Sequence, residues 1–339
     1  KHKVMKRFYL GIDVSKEKLD WCLMVDSKMV EELVVKNEII SIQKAIFLLM
    51  DKHSIKPDDL LLCAEYTSQY TYPLCCVCEE LGLDLWLENP AQIKYRSGLQ
   101  RGKNDKLDAK KIAVYACKFI EKAKLFRLPE KVLEALKHLV SERDLYVVEK
   151  SKLAGQLTDQ ERFMDKTLFE KKKERLKSVL HQLEQSIADV DKEIKNLIQG
   201  DKTLSKQHEL LCRVDGIGER TAIKMIIETN AFKDFHDPRK FCCHAGVAPF
   251  SFSSGRSLRS KNKVSQRADK SIKTLLHMAA LSVATRMKGE LHEYYLKKVS
   301  EGKNKMSVLN AVRAKLVHRM FAVIRNNKFY EKEYQNALA

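Results

Sequence analysis

The chain has 339 residues, 44% of them apolar and 32% charged, and its 63 Lys and Arg outnumber 45 Asp and Glu for a formal charge of +18. Two or three domains are expected at about 100–200 residues each, and the apolar fraction excludes an intrinsically disordered chain. No uninterrupted apolar run reaches the roughly 18 residues of a membrane span, and no secretory leader follows Lys1, so the expectation is a cytoplasmic protein with no membrane partner and with reduced thiols at its nine cysteines.

In the first third, Phe8 to Val14 predicts a short apolar strand whose end carries Asp13. Leu19 to Val25 and Met29 to Val35 follow as strands, and the short connections make the three an antiparallel meander. Ser41 to His53 has helical spacing at Ile42, Ile46 and Leu49 behind a Ser cap. Leu60 to Glu65 is the near-continuous apolar run of a central strand and also ends in an acid. Leu83 to Leu87 is a fifth strand, closed by Asn89-Pro90. Three strands, helix, strand, helix, strand is the order of a ribonuclease H-like sheet.

The middle third is helical, with no proline between Pro129 and Pro238. Leu176, Leu180, Leu183, Ile187, Val190, Ile194 and Leu197 step alternately by four and three, the seam of a coiled coil. Two antiparallel helices or a dimerising pair would both satisfy that seam. The last third is helical apart from a break at His244 to Ser265, expected as a long structureless loop of Gly, Pro, Ser and basic residues. The fold class is therefore α/β plus all-α, divided as 1–128, 129–200 and 201–339.

Charge is uneven along this layout: residues 1–93 carry a net −4, residues 94–127 a net +8, and residues 201–339 a net +14. Two basic surfaces suit a polyanion, and neutralising phosphates is the commonest use of such runs. Arg101, Lys103 and Lys106 supply the first; Arg256, Arg259, Lys261, Lys263 and Arg267 supply the second. The turn from Val214 to Ala222 looks like a helix-hairpin-helix motif, in which Gly216 and Gly218 would let backbone N–H groups approach a phosphate. A plain tight turn is the other reading of that segment.

Four acids could carry chemistry. Asp13 and Glu65 lie at or near strand ends, and Asp105 and Asp108 open a helix at a spacing that puts both on one face. Carboxylates gathered without a partner repel one another, so such a cluster calls for a cation, and Mg²⁺ takes hard oxygen ligands and bridges phosphates. In the basic loop, a serine beside arginines could attack a phosphodiester. Composition does not separate Ser251, Ser253, Ser254 and Ser257.

Gly11-Ile12-Asp13-Val14, Glu65, and Lys103-Asn104-Asp105-Lys106-Leu107-Asp108-Ala109 resemble the DEDD transposases of bacterial insertion sequences, relatives of the pilin-gene invertases. Gly216-Ile217-Gly218, Ala245-Gly246-Val247-Ala248-Pro249 and Ser254-Gly255 carry the same resemblance through the second half. It implies an N-terminal RuvC-like domain of ribonuclease H type, a central coiled coil and a mainly helical C-terminal transposase domain. It further implies that Asp13, Glu65, Asp105 and Asp108 bind Mg²⁺, and that Ser254 forms a covalent phosphoserine link to a DNA end. Gly255 follows two serines, so a one-residue shift would pass that role to Ser253. The implied partners are donor and target DNA, a noncoding bridge RNA as guide, and further copies of the chain in a dimer or tetramer. A RuvC-like structure-specific nuclease using water and a non-catalytic nucleic-acid binder are the rival readings.

Overall fold

The computed structural model describes residues 6–96, 105–250, 253–254, 258–259, 263–264 and 270–331, with the backbone alone at residues 105, 106, 159, 250, 253, 254, 258, 259 and 263. The chain divides into two compact units between Leu128 and Pro129.

The first unit is built on a five-stranded sheet. Strand β1 (Phe8–Val14) pairs antiparallel with β2 (Lys18–Val25), which pairs antiparallel with β3 (Lys28–Lys36). Asp26 and Ser27 close the β2–β3 hairpin, both at positive φ (46° and 67°), the pairing a two-residue turn of this hand demands. After helix α1 (Ile39–Lys52), strand β4 (Leu60–Glu65) returns parallel to β1. Helix α2 (Tyr72–Glu80) then leads to β5 (Asp84–Glu88), parallel to β4. The resulting order, β3-β2-β1-β4-β5, with a meander on one side and parallel crossovers on the other, is that of a ribonuclease H-like sheet.

Strand periodicity decides which side chains meet which helix. Leu10, Ile12 and Val14 share a core with Ile42, Ile46 and Leu49 of α1 and with Leu74 and Val77 of α2. The alternate residues, Tyr9 of β1 and Leu61 and Cys63 of β4, face a second core with Ala109, Ile112, Ala113 and Ala116. Those four belong to α4 (Asp105–Lys118), which follows the short α3 (Pro90–Arg96). Helix α1 begins two residues earlier than its sequence pattern indicates. Glu38 holds the extended N-cap position, and the Ser41 hydroxyl donates to Glu38 Oε2 at 3.3 Å instead of capping. The opening Ile39 and Ile40 are exposed, so they sit outside the apolar periodicity that marks the rest of the helix.

The second unit opens with two long helices, α5 (Lys131–Asp159) and α6 (Lys166–Gly200). Asp165 starts α6 by accepting from the N–H groups of Thr167 (3.0 Å) and Leu168 (3.1 Å). The pair is antiparallel within one chain: Arg143 bonds Asp191, Lys150 meets Glu184 at 2.8 Å, and Lys172 reaches Gln160, so each step along one helix is a step back along the other. Of the seam, Val190 and Ile194 are buried, while Leu176, Leu180, Leu183 and Ile187 are half-covered. Helices α7 (Lys202–Cys212), α8 (Glu219–Glu228), α9 (Pro238–His244), α10 (Lys270–Thr285), α11 (Glu290–Ser300) and α12 (Lys305–Asn326) then share one core.

The break before α10 is not structureless, contrary to its composition. β6 (Pro249–Phe250) pairs antiparallel with β9 (Lys263–Val264), and β7 (Ser253–Ser254) with β8 (Leu258–Arg259). In sequence, the second pairing falls inside the first. Strands of two residues rich in Ser and Arg carry no apolar alternation, which is why the pattern hid them. Among the described residues, no helix is long and apolar enough to cross a membrane.

Candidate active site

Three of the four sequence-predicted acids converge at one end of the first unit's sheet. Ile12 and Ala64 are register partners in the parallel β1–β4 pair, so Asp13 and Glu65 follow side by side at the ends of adjacent strands. Both fall on the face that α4 covers, by the same alternation that places Tyr9 and Leu61 there. Asp108 stands in the first turn of α4, half-buried, over that end. Asp105 opens the same helix one turn earlier; its side chain lies outside the described residues.

Gly11 makes the convergence possible. A Cβ built on it would lie 2.2 Å from the backbone nitrogen of Ala113 and 2.3 Å from the carbonyl oxygen of Ala109. Helix and strand therefore meet backbone to backbone, at Ala109 and Ala113 of α4. Two residues along β1, that contact brings the α4 carboxylate down beside the strand-end pair.

The electrostatics agree with this placement. Burial raises the Glu65 carboxyl above its ordinary value, and the charges of Asp13 and Asp108 raise it further, while Lys111 opposes them. Lys111 Nζ lies 2.6 Å from Asp108 Oδ1, so an ammonium already neutralises part of the cluster.

Sequence reasoning missed three groups on this face. Glu88 ends β5 in register with Glu65 and accepts a hydrogen bond from the Tyr115 hydroxyl of α4 at 2.9 Å. Asp20, register partner of Asp13, is 3% exposed and pairs with Lys18 Nζ at 2.9 Å. Lys111 is the third. Glu88 closes an apolar strand just as Glu65 does, so the signal that found one applied to the other.

Hard carboxylate oxygens, one with its proton affinity raised by its neighbours, are a donor set suited to a divalent ion. Among the described residues no group of three such side chains closes to the reach of one ion. Asp13, Glu65 and Asp108 are thus gathered at one strand end without forming a finished cage.

In the second unit, Ser254 pairs with Leu258, and Ser253 with Arg259. Neighbouring strand positions belong to opposite faces of a ribbon, so the two serine positions do not share one. The side chains of Ser253, Ser254, Arg259 and Lys263, and that of Lys106 on α4, lie outside the described residues, as do Arg101, Lys103, Arg256, Lys261 and Arg267 altogether.

The glycine turn separates into two jobs. Gly216, at φ +81°, sits where a Cβ would be 2.2 Å from Val283 Cγ2 of α10, so turn geometry and close packing both require it. Gly218 caps α8 with no side-chain hydrogen bond and with open space where its Cβ would be. Gly216 is thus required by packing, whereas no such contact constrains Gly218.

Comparison with known proteins adds a family to this geometry. A profile described as the IS116/IS110/IS902 transposase family matches residues 208–296, and a DEDD transposase profile of the IS110 type matches residues 10–167. The pilin gene-inverting protein of Moraxella lacunata is 24% identical over 330 residues, 97% of this chain and 99% of its own, and that of Moraxella bovis is equally similar. An IS116 insertion-element protein of Streptomyces clavuligerus is 26% identical over 148 residues, 44% of this chain and 36% of its own. Among solved structures, Thermus thermophilus RuvC in complex with a Holliday junction substrate aligns over 35% of this chain and 99% of its own, at 12% identity and a TM-score of 0.29. The sheet assignment rests on strand order and direction instead.

Proposed function

The chain belongs to the IS116/IS110/IS902 family of DEDD transposases, and from that premise we propose that it cuts and rejoins DNA strands of an insertion sequence through a covalent phosphoserine intermediate. The observation that carries the proposal is the meeting of Asp13, Glu65 and Asp108 at one sheet end, enforced by the backbone contact at Gly11.

In this reading Asp13, Glu65, Asp105 and Asp108 hold Mg²⁺, which supplies Lewis-acid polarisation of the phosphate and neutralises its charge. Ser254, on strand β7, attacks the phosphorus through Oγ and loses its proton to solvent. The P–O bond to one sugar breaks, and that sugar oxygen leaves as a hydroxyl after taking a proton. Attack by a second sugar hydroxyl on the phosphoserine reverses the step, re-forms a phosphodiester and frees the serine. No high-energy cofactor is needed, because each bond broken is replaced by one of the same kind.

The basic residues Arg101, Lys103, Lys106, Arg256, Arg259, Lys261, Lys263 and Arg267, with the turn at Gly216 and Gly218, would grip nucleic-acid backbone. Guidance by a bridge RNA and action as a homo-oligomer with coiled-coil contacts complete the proposal. The antiparallel α5–α6 pair, half-covered along its upper seam, is the element that such contacts would use.

The test is strand cleavage of labelled element-junction DNA by the full chain with Mg²⁺ and the element's flanking transcript. Cleavage lost with EDTA and in Asp13→Asn supports the acid cluster as the catalytic centre. Cleavage unaffected by Asp13→Asn would refute it.

A further inference from the structure

Within the second unit, α5, α6, α7, α8 and α10 enclose an open cleft of about 1220 Å³. That exceeds the roughly 300–1,000 Å³ of ordinary small-ligand pockets and suits a stretch of polymer. Its floor is aliphatic: Ile194 and Ile198 are buried, and Val140, Ile223 and Leu275 half-buried. His208 and Cys212 join that floor, their ring nitrogen and thiol 3.6 Å apart. Burial lowers the pKa of the imidazole and pushes the thiol up to about 11, so both stay uncharged at neutral pH.

Arg143 also lines this cleft. Its side chain is 7% exposed; Nε and Nη2 donate to the two carboxylate oxygens of Asp191, yet buried Nη1 has no partner among the described residues. A buried guanidinium nitrogen left unpaired is costly, and the bidentate pair with Asp191 is what holds this guanidinium in the cleft wall. On the rim, Lys192, Lys195 and Arg220 are exposed and make no ion pair among the described residues. Asp191 is committed to Arg143, and Glu209 to Lys206 at 3.3 Å, which leaves Asp144 and Glu219 as the opposing acids. The rim is positive on balance.

We propose that this cleft seats a single strand of DNA, with bases on the aliphatic floor and phosphates against Lys192, Lys195 and Arg220. The inference rests on the reading of the chain as a DNA-cutting enzyme, whose cleaved substrate has unpaired ends to hold. A duplex hides its base faces and presents phosphates alone, so it cannot use the floor; a single strand offers both surfaces at once.

Fluorescence anisotropy with a labelled 12-nucleotide DNA strand, the same sequence as duplex, and the same sequence as RNA tests this on the full chain. In Lys192→Glu/Lys195→Glu, strand affinity falls at least tenfold, the slope of log K against log salt flattens by roughly 1.4 for two lost phosphates, and duplex affinity is unchanged. Arg220→Glu weakens strand binding by about tenfold. All three positions are exposed, so folding is retained in these variants. Strand affinity unchanged in a folded double variant overturns the proposal. So does equal loss for strand and duplex, which would mark nonspecific charge, or a preference for RNA lost in the same variants. A wild-type chain that binds no DNA at all would overturn the proposed function as well, whereas intact duplex binding beside an unaffected strand removes only the cleft.

Discussion

Gly11 of β1 and Ala113 of α4 touch backbone to backbone: a Cβ on the glycine would stand 2.2 Å from the alanine nitrogen. Backbone cannot give way as a flexible side chain does, so any larger residue at position 11 lifts the helix. The carboxylate of Asp108 would move with it, away from Asp13 and Glu65.

Gly11→Ala is therefore expected to destabilise the first unit by about 1–3 kcal/mol and to abolish DNA cleavage even where the chain stays folded. Gly155→Ala is the counterpart. That glycine lies inside α5 with nothing within 4 Å of its Cβ position, and the substitution should stabilise the helix by about 0.5–1 kcal/mol. Thermal melts of both variants with a cleavage assay separate the two effects.

The raised Glu65 carboxyl gives a pH-dependent prediction. The folded chain holds this proton more tightly than the unfolded one, so the group's stability contribution is complete below the usual Glu value of about 4.3. It is lost as pH rises through the higher folded value, because the ionised acid is half-buried beside Asp13 and Asp108. Glu65→Gln should raise the melting temperature by about 1–3 °C at pH 7–8, with the gain vanishing below pH 4, while cleavage is lost. A lower melting temperature at pH 8 would mean that Glu65 is a stabilising partner in the metal-free chain.

Much of the first unit was legible because a buried strand writes itself as an unbroken apolar run. Leu60 to Ala64 could be nothing else, and Glu65 stood out as the acid that ends it. The α4 contact was half-legible: Gly11, Ala109 and Ala113 are small residues, but only the fold shows that they face one another. The short strand pairs around Ser254 were not legible, since they involve two residues at a time and no apolar alternation. Asp20 and Lys111 also escaped, because their roles come from cross-strand register and an i,i+3 helix pair, relationships among polar groups that hydropathy does not record.

Glu228 predicts the opposite pH behaviour in the second unit. Burial would push its carboxyl up, but hydrogen bonds from His244 at 3.3 Å and Lys224 at 2.8 Å outweigh burial and hold it at about 2. A depressed carboxyl stabilises the fold above the unfolded value near 4.3, and that contribution drains away as pH falls toward 2. Glu228→Gln should lower the melting temperature of this unit by about 2–4 °C at pH 7. Wild type and variant should converge near pH 2, as followed by circular dichroism.

The most direct measurement of the central claim is a denaturing gel of labelled element-junction DNA incubated with the chain, Mg²⁺ and the flanking transcript. Ser254→Ala, Ser253→Ala and Asp13→Ala are run beside the wild type. The account predicts a protein–DNA adduct that persists in Ser253→Ala and disappears in both Ser254→Ala and Asp13→Ala. Cleavage without any adduct, abolished by Asp13→Ala but untouched by Ser254→Ala, would contradict it and make the chain a nuclease that uses water.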